Sequence, residues 1–119
     1  MSIDLSKKYA FIDFTSLVDI IGDDEDTLHE IISEFLTVSP KDIENLVEAV
    51  NAHNYPAVIA SAHKLKATFR YFGISSTEQL VSIELGAKEN VSIDKITVLL
   101  EEVLIGYNGA LQEVKQFLL

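Results

Sequence analysis

The chain has 119 residues and a formal net charge of −10, with 48% apolar and 24% charged residues and no cysteine. That length and composition suit one globular domain, expected to span residues 1–119, and exclude a chain too polar to bury a core. The missing cysteines exclude disulfides, thiol nucleophiles and cysteine-bound zinc, and the acidic balance argues against nucleic acid as a partner.

Asp4, Lys7, Lys8, Asp13 and Asp19 break up the N-terminal stretch, so no secretory signal is expected and the chain is placed in the cytoplasm. The apolar run from Ile96 to Tyr107 is interrupted by Glu101 and Glu102 and is shorter than the ~20 residues that span a bilayer, so no membrane anchor is expected.

Periodicity predicts five helices in chain order. Phe14, Leu17, Val18 and Ile21 have the spacing of a short amphipathic helix from Asp13 to Ile21, ended by Gly22. The acidic run Asp23–Asp26 suits the N-terminus of a second helix, whose apolar face continues through Leu28, Ile31, Ile32, Phe35 and Leu36. Pro40 falls inside the continuing pattern of Ile43, Leu46, Val47 and Val50. One long, bent helix is expected, with Ser39 a candidate cap if it restarts. The polar cluster Asn51–Asn54 marks a turn, and Pro56 opens a third helix that should reach Phe72 and end at Gly73.

Ser75 and Ser76 are candidate caps for a fourth helix carrying Leu80, Val81, Ile83 and Ala87, with Glu78 in its first turn. Ser92 is the candidate cap of a fifth, in which Ile96, Leu99, Leu100, Val103, Leu104, Tyr107, Leu111, Val114 and Leu118 recur at helical spacing. Gly106 and Gly109 are expected to weaken its middle. With no strand pattern, the expected fold is all-α: an antiparallel four-helix bundle with an additional short N-terminal helix across one end.

Charge is segregated along the chain. Residues 49 to 77 contain no Asp or Glu, yet hold Lys64, Lys66 and Arg70 around His63. On the third helix Tyr55, Val58, Ala62, Leu65, Phe69 and Phe72 share one side, and His63 lies roughly 130° from the centre of that stripe at 100° per residue. The ring should reach solvent, with Ile59, Ala60, Lys66 and Ala67 as its helix-surface neighbours and Arg70 two turns on.

A lone histidine is most often an ordinary surface or half-buried side chain. These neighbours favour another use. A neutral imidazole is a competent nucleophile near pH 7, and a phosphoryl group on Nε2 brings close to two negative charges, which Lys66 can offset. Small Ala67 leaves room for another protein's active site. Competing chemistries lack their residues: His29, His53 and His63 show no metal-ligand spacing, the five glycines form no phosphate loop, the Asp23–Asp26 run lacks the other ligands of an EF-hand, and no catalytic triad can be assigned.

The run Ala62-His63-Lys64-Leu65-Lys66-Ala67-Thr68-Phe69-Arg70-Tyr71-Phe72-Gly73 resembles the signature of histidine-containing phosphotransfer (HPt) domains, broadly A-H-x-L-K-G-S-x-x-x-L-G. The preceding Ala52-His53-Asn54-Tyr55 is similar to the family's turn before this helix, and the helix pattern matches from about Phe14 to Glu89. Ala67 stands where the family usually has glycine, adding a methyl group near the phosphoryl position. Ile83-Glu84 matches the family's Leu-Glu or Leu-Gln pair, whose polar member approaches the histidine ring, if the intervening turn is one residue shorter here.

The resemblance implies a relay. A receiver-domain aspartate gives its phosphoryl group to His63, which passes it to another receiver. Lys66, Ala67 and Glu84 would support the phosphoryl group and the ring, with Glu84 fixing the tautomer that leaves Nε2 free. Ile59, Ala60, Lys64 and Arg70 would meet the partner, joined by apolar residues of the first helix. Expected partners are receiver domains of response regulators or hybrid histidine kinases. No metal or cofactor is expected on this chain, since the Mg²⁺ comes with the receiver, and the protein is read as a phosphocarrier and not a self-sufficient enzyme. The alternative is a helical adaptor that docks a receiver or kinase without being phosphorylated. A catalytic bundle built on His63 alone lacks a partner nucleophile or metal set.

Overall fold

In the computed structural model, residues 9–22 and 24–116 are described. They form five helices: α1 (Thr15–Ile21), α2 (Glu25–Asn51), α3 (Tyr55–Tyr71), α4 (Thr77–Lys88) and α5 (Ile93–Lys115). Helices α2 to α5 pack in a closed ring, each against its sequence neighbour and α5 back onto α2, while α1 lies against α3. Short turns between them make consecutive helices antiparallel. The expected all-α bundle with an extra short helix is the observed fold. Asp23 and Leu118 lie outside the described residues, as do the N-terminal charges Asp4, Lys7 and Lys8.

Helix starts follow local chemistry. The Asp24 carboxylate accepts from Thr27 N–H, the Asn54 amide oxygen from Ala57 N–H and the Ser92 hydroxyl from Lys95 N–H, each supplying a partner to a donor that a helix leaves orphaned. The first helix begins later than its apolar pattern suggests, because Asp13 turns its carboxylate onto the Thr15 N–H and hydroxyl at 2.9 and 2.6 Å and stays outside the helix.

Three expectations change. Ser39 is not a cap. Helix α2 runs unbroken past Pro40, and the buried Ser39 hydroxyl bonds back to the Phe35 carbonyl at 2.5 Å and lies 2.8 Å from the Tyr107 hydroxyl, tying α2 to α5. Ser76 occupies the α4 N-cap position, but its hydroxyl donates to the Val103 carbonyl of α5 at 3.1 Å and makes no cap bond, while Ser75 is exposed outside the helix. Gly106 and Gly109 are contact points, not weak points. A Cβ on Gly106 would collide with Ser76, and one on Gly109 with the Phe11 ring, so both glycines let neighbouring segments approach α5 closely.

Of the predicted α3 stripe, Val58, Ala62, Leu65 and Phe69 are all at 0% exposure and Phe72 at 2%, while Tyr55 at the start of the helix is half-buried. Phe35 and Phe72 meet at 4.4 Å between ring centroids, and Phe69 stacks on Tyr107 at 6.3 Å. The segment before α1 closes one end of the bundle. Its Asp13 N–H donates to the Phe72 carbonyl and its Phe11 carbonyl accepts from Ser75, both at 2.9 Å, and the Ala10 and Phe11 N–H groups donate to the Glu113 carboxylate.

Gly73 makes this closure fit. Its φ of +54° is costly for any residue with a side chain, and an added Cβ would come within 2.7 Å of the Asp13 Cβ. Gly73→Ala is therefore expected to destabilise the domain by about 2–5 kcal/mol, the sum of the left-handed backbone cost and overpacking. Urea titration should show a lower midpoint at unchanged slope; an unchanged midpoint would contradict the close approach.

Candidate functional site

His63 sits midway along α3 on the side opposite the core, with its side chain 70% exposed. The rigid stripe beneath it, Ala62 and Leu65 above all, fixes the backbone from which the ring projects. Ala60 and Ala67 are exposed beside it and Ile59 is half-buried. The open surroundings expected from the sequence are present, with the Ala67 methyl at their edge.

Beneath the ring lies a buried acid. Glu84 occupies the inward face of α4, on the same helical stripe as Leu80, Ile83 and Ala87, and is 4% exposed. Its Oε2 is 3.3 Å from His63 Nδ1, so the turn between α3 and α4 does bring the carboxylate to the ring. Lys66 Nζ donates to Oε1 at 2.8 Å, and Lys88 Nζ donates to Oε2 at 3.1 Å. Three donors thus converge on one carboxylate. The hydrogen bond from Lys66, together with those from Lys88 and His63, outweighs burial and holds the Glu84 carboxyl down to about 2. It is an acceptor at every physiological pH, and a carboxylate that accepts from Nδ1–H favours the tautomer with its lone pair on Nε2.

The charge pattern differs in space from the pattern along the chain. The segment from 49 to 77 is free of acids in sequence, but the fold supplies two from other helices. Glu84 comes from α4, and Asp42 of α2 accepts from Lys64 Nζ at 3.0 Å. Of the three cations around His63, Lys66 and Lys64 are paired and Arg70, in the last turn of α3, is exposed. Lys66 therefore holds Glu84 in this state, where the sequence suggested a cation standing free. Asp42 and Lys88 were missed. Lys88 lies at i+4 from Glu84, a spacing visible on α4 once Glu84 is chosen, whereas nothing local points to Asp42.

A second feature adjoins the ring. Helices α1, α2 and α3 enclose an open groove whose lining includes Leu17, Ile20, Ile21, Val38, Tyr71 and Phe72. Ile20, Val38 and Tyr71 are 63%, 43% and 45% exposed, large apolar side chains left facing solvent together. Tyr71 stands one turn beyond Ala67, so the groove continues the small-residue flank of His63.

The paired carboxylate has a pH signature. Glu84 is depressed from its ordinary value of 4.5 to about 2, so between those values the unfolded chain binds the proton that the folded chain refuses. Its contribution is complete above about pH 4.5 and is lost as pH falls towards about 2. Stability measured by denaturant titration across that window should fall more steeply in the wild type than in Glu84→Gln; parallel curves would show that the carboxylate is not held by its three donors.

Among the described residues, no group of three or more His, Asp or Glu is arranged to hold a metal ion, and no helix is long and apolar enough to cross a membrane. No curated protein and no solved structure matches the chain. A family model described as Hpt domain matches residues 30–104, from the first turns of α2 to the middle of α5, and takes in His63, Lys66, Glu84 and Lys88. That family serves phosphotransfer in two-component signalling, and its domains are phosphocarriers interacting with receiver domains. With well over half of the chain matched, and with the helical bundle that the family builds, this protein belongs to the Hpt domain family.

Proposed function

We propose that this chain is a phosphorelay intermediate, one HPt unit that accepts a phosphoryl group on His63 from a receiver-domain aspartate and passes it to another receiver. The observation that carries the reading is the exposed ring whose Nδ1 lies 3.3 Å from the buried Glu84 carboxylate.

The chemistry follows from that pairing. The Nε2 lone pair forms a bond to phosphorus as the bond from phosphorus to the receiver's acyl oxygen breaks, and the receiver carboxylate leaves with the electron pair. Nδ1 keeps its proton, so the ring becomes a phosphoimidazolium whose positive charge faces the fixed negative charge of Glu84. The same carboxylate serves the reverse direction, since it holds the proton on Nδ1 while the phosphoryl group departs. No base on this chain is needed, and the receiver's own site supplies the charge stabilisation at phosphorus. Lys66 supports the two negative charges that the phosphoryl group brings to the α3 surface.

The receiver docks over Ala60, Ala67 and Ile59 and into the groove of α1, α2 and α3, where Ile20, Val38 and Tyr71 bury apolar surface that the isolated domain leaves wet. Lys64 and Arg70 meet the acidic rim of the receiver pocket. We place the reaction in the cytoplasm, where receivers and hybrid kinases present their aspartates.

Incubation with a phosphorylated receiver tests this directly. Acid-labile, base-stable label should appear on the wild-type chain and be absent from His63→Gln. Binding without label would favour the docking adaptor, and label that persists in His63→Gln would move the acceptor elsewhere. Ile20→Asp, on an exposed side chain, should leave the thermal midpoint unchanged and weaken receiver binding about tenfold by calorimetry. Equal affinity would remove the groove from the interface.

A further inference from the structure

The Glu84 carboxylate has more cationic partners than the ring requires. Lys66 on Oε1 already neutralises it, yet Lys88 approaches the opposite oxygen, the one that faces His63 Nδ1. The two lysines are placed differently. Lys66 is on α3, one turn from His63, and its side chain is only 22% exposed; Lys88 is on α4, one turn from Glu84, and is 52% exposed. Lys66 can therefore serve either the buried carboxylate or a phosphoryl group on the neighbouring ring, whereas Lys88 belongs to the carboxylate.

We infer that Lys88 is a positioning residue that holds Glu84 against His63 when Lys66 turns from Glu84 to the phosphoryl group, an exchange of partners that the paired geometry makes inexpensive. This rests on the reading of His63 as the phosphoacceptor. A buried carboxylate deprived of its only cation is strongly unfavourable, so in a site with Lys66 alone the phosphoryl group and Glu84 compete for one ammonium. With Lys88 on Oε2, Glu84 keeps one full ion pair in both states and its oxygen stays beside Nδ1. The phosphorylated state then has a cation for each anion: Lys66 for the phosphoryl group and Lys88 for the carboxylate. The covalent step is unchanged, and Lys88 acts on it only through Glu84.

The test is phosphoryl transfer from a labelled receiver in two backgrounds. Lys88→Met, which keeps an apolar stem and removes the donor, should slow transfer to His63 about tenfold in the otherwise wild-type chain, and Lys88→Arg should restore most of the rate. In a Glu84→Gln background there is no carboxylate to hold Lys66 back, so Lys88→Met should change the rate little. An equal loss in both backgrounds would overturn the proposal, because Lys88 would then act on the receiver or the phosphoryl group directly; no loss in either would overturn it as well. Absence of label on the wild-type chain would refute the phosphoacceptor reading itself, a result distinguishable from either. Circular dichroism melts of each variant confirm that the domain compared is folded, and the Glu84→Gln pair remains informative if Lys88→Met alone proves unstable.

Discussion

A negative charge buried under an exposed imidazole is the constraint around which the site is built. Taking a carboxylate out of water is costly unless it is paired and hydrogen-bonded, and Glu84 meets that requirement with donors from two helices. His63 and Lys66 come from α3 and Lys88 from α4, so the carboxylate fixes how those helices are rotated against one another. Its neighbours on the stripe, Leu80, Ile83 and Ala87, are buried with it. Orientation of the ring is thereby tied to packing of the core.

The same arrangement separates two tasks that many active sites combine. The fold contributes an imidazole held in place and a fixed charge behind it, and it leaves the front of the ring open. Its small flanking residues and adjoining apolar groove are, in the proposed relay, the surface that the receiver completes. In the proposed relay the sparse site is an advantage, because a residue that catalysed hydrolysis of the phosphoryl group would waste the signal between donor and acceptor.

Sequence periodicity gave access to most of the fold because amphipathic helices write their buried faces into the chain. The α3 stripe from Val58 to Phe72 and the direction of His63 follow from 100° per residue alone. Glu84 was legible only through the family resemblance, as the polar member of the Ile83-Glu84 pair, and its burial on the apolar stripe of α4 is seen in the fold. Other features depend on partners distant in sequence. Ser39 and Ser76 look like caps but spend their hydroxyls on contacts between helices, and Gly106 and Gly109 look like helix weaknesses until Ser76 and Phe11 are seen against them. The apparent absence of acids around His63 belongs to the linear order only, since Asp42 and Glu84 arrive from helices on either side. Hydroxyls, glycines and charges can each serve local or long-range roles, and spacing does not decide between them.

Pro40 gives the groove a mechanical character. Lacking an N–H, it cannot donate to the Leu36 carbonyl, so the backbone ladder of α2 is one rung short just where Phe35, Val38 and Ser39 line the groove. The Ser39 hydroxyl doubles the bond on the neighbouring Phe35 carbonyl and anchors that turn to Tyr107. That turn of the groove wall thus lacks one backbone bond and is tied across to α5 by the contact of Ser39 with Tyr107. In the proposed relay, a wall short of one bond at that turn lets the docking face adjust to receivers of slightly different contour without disturbing the helix that carries His63.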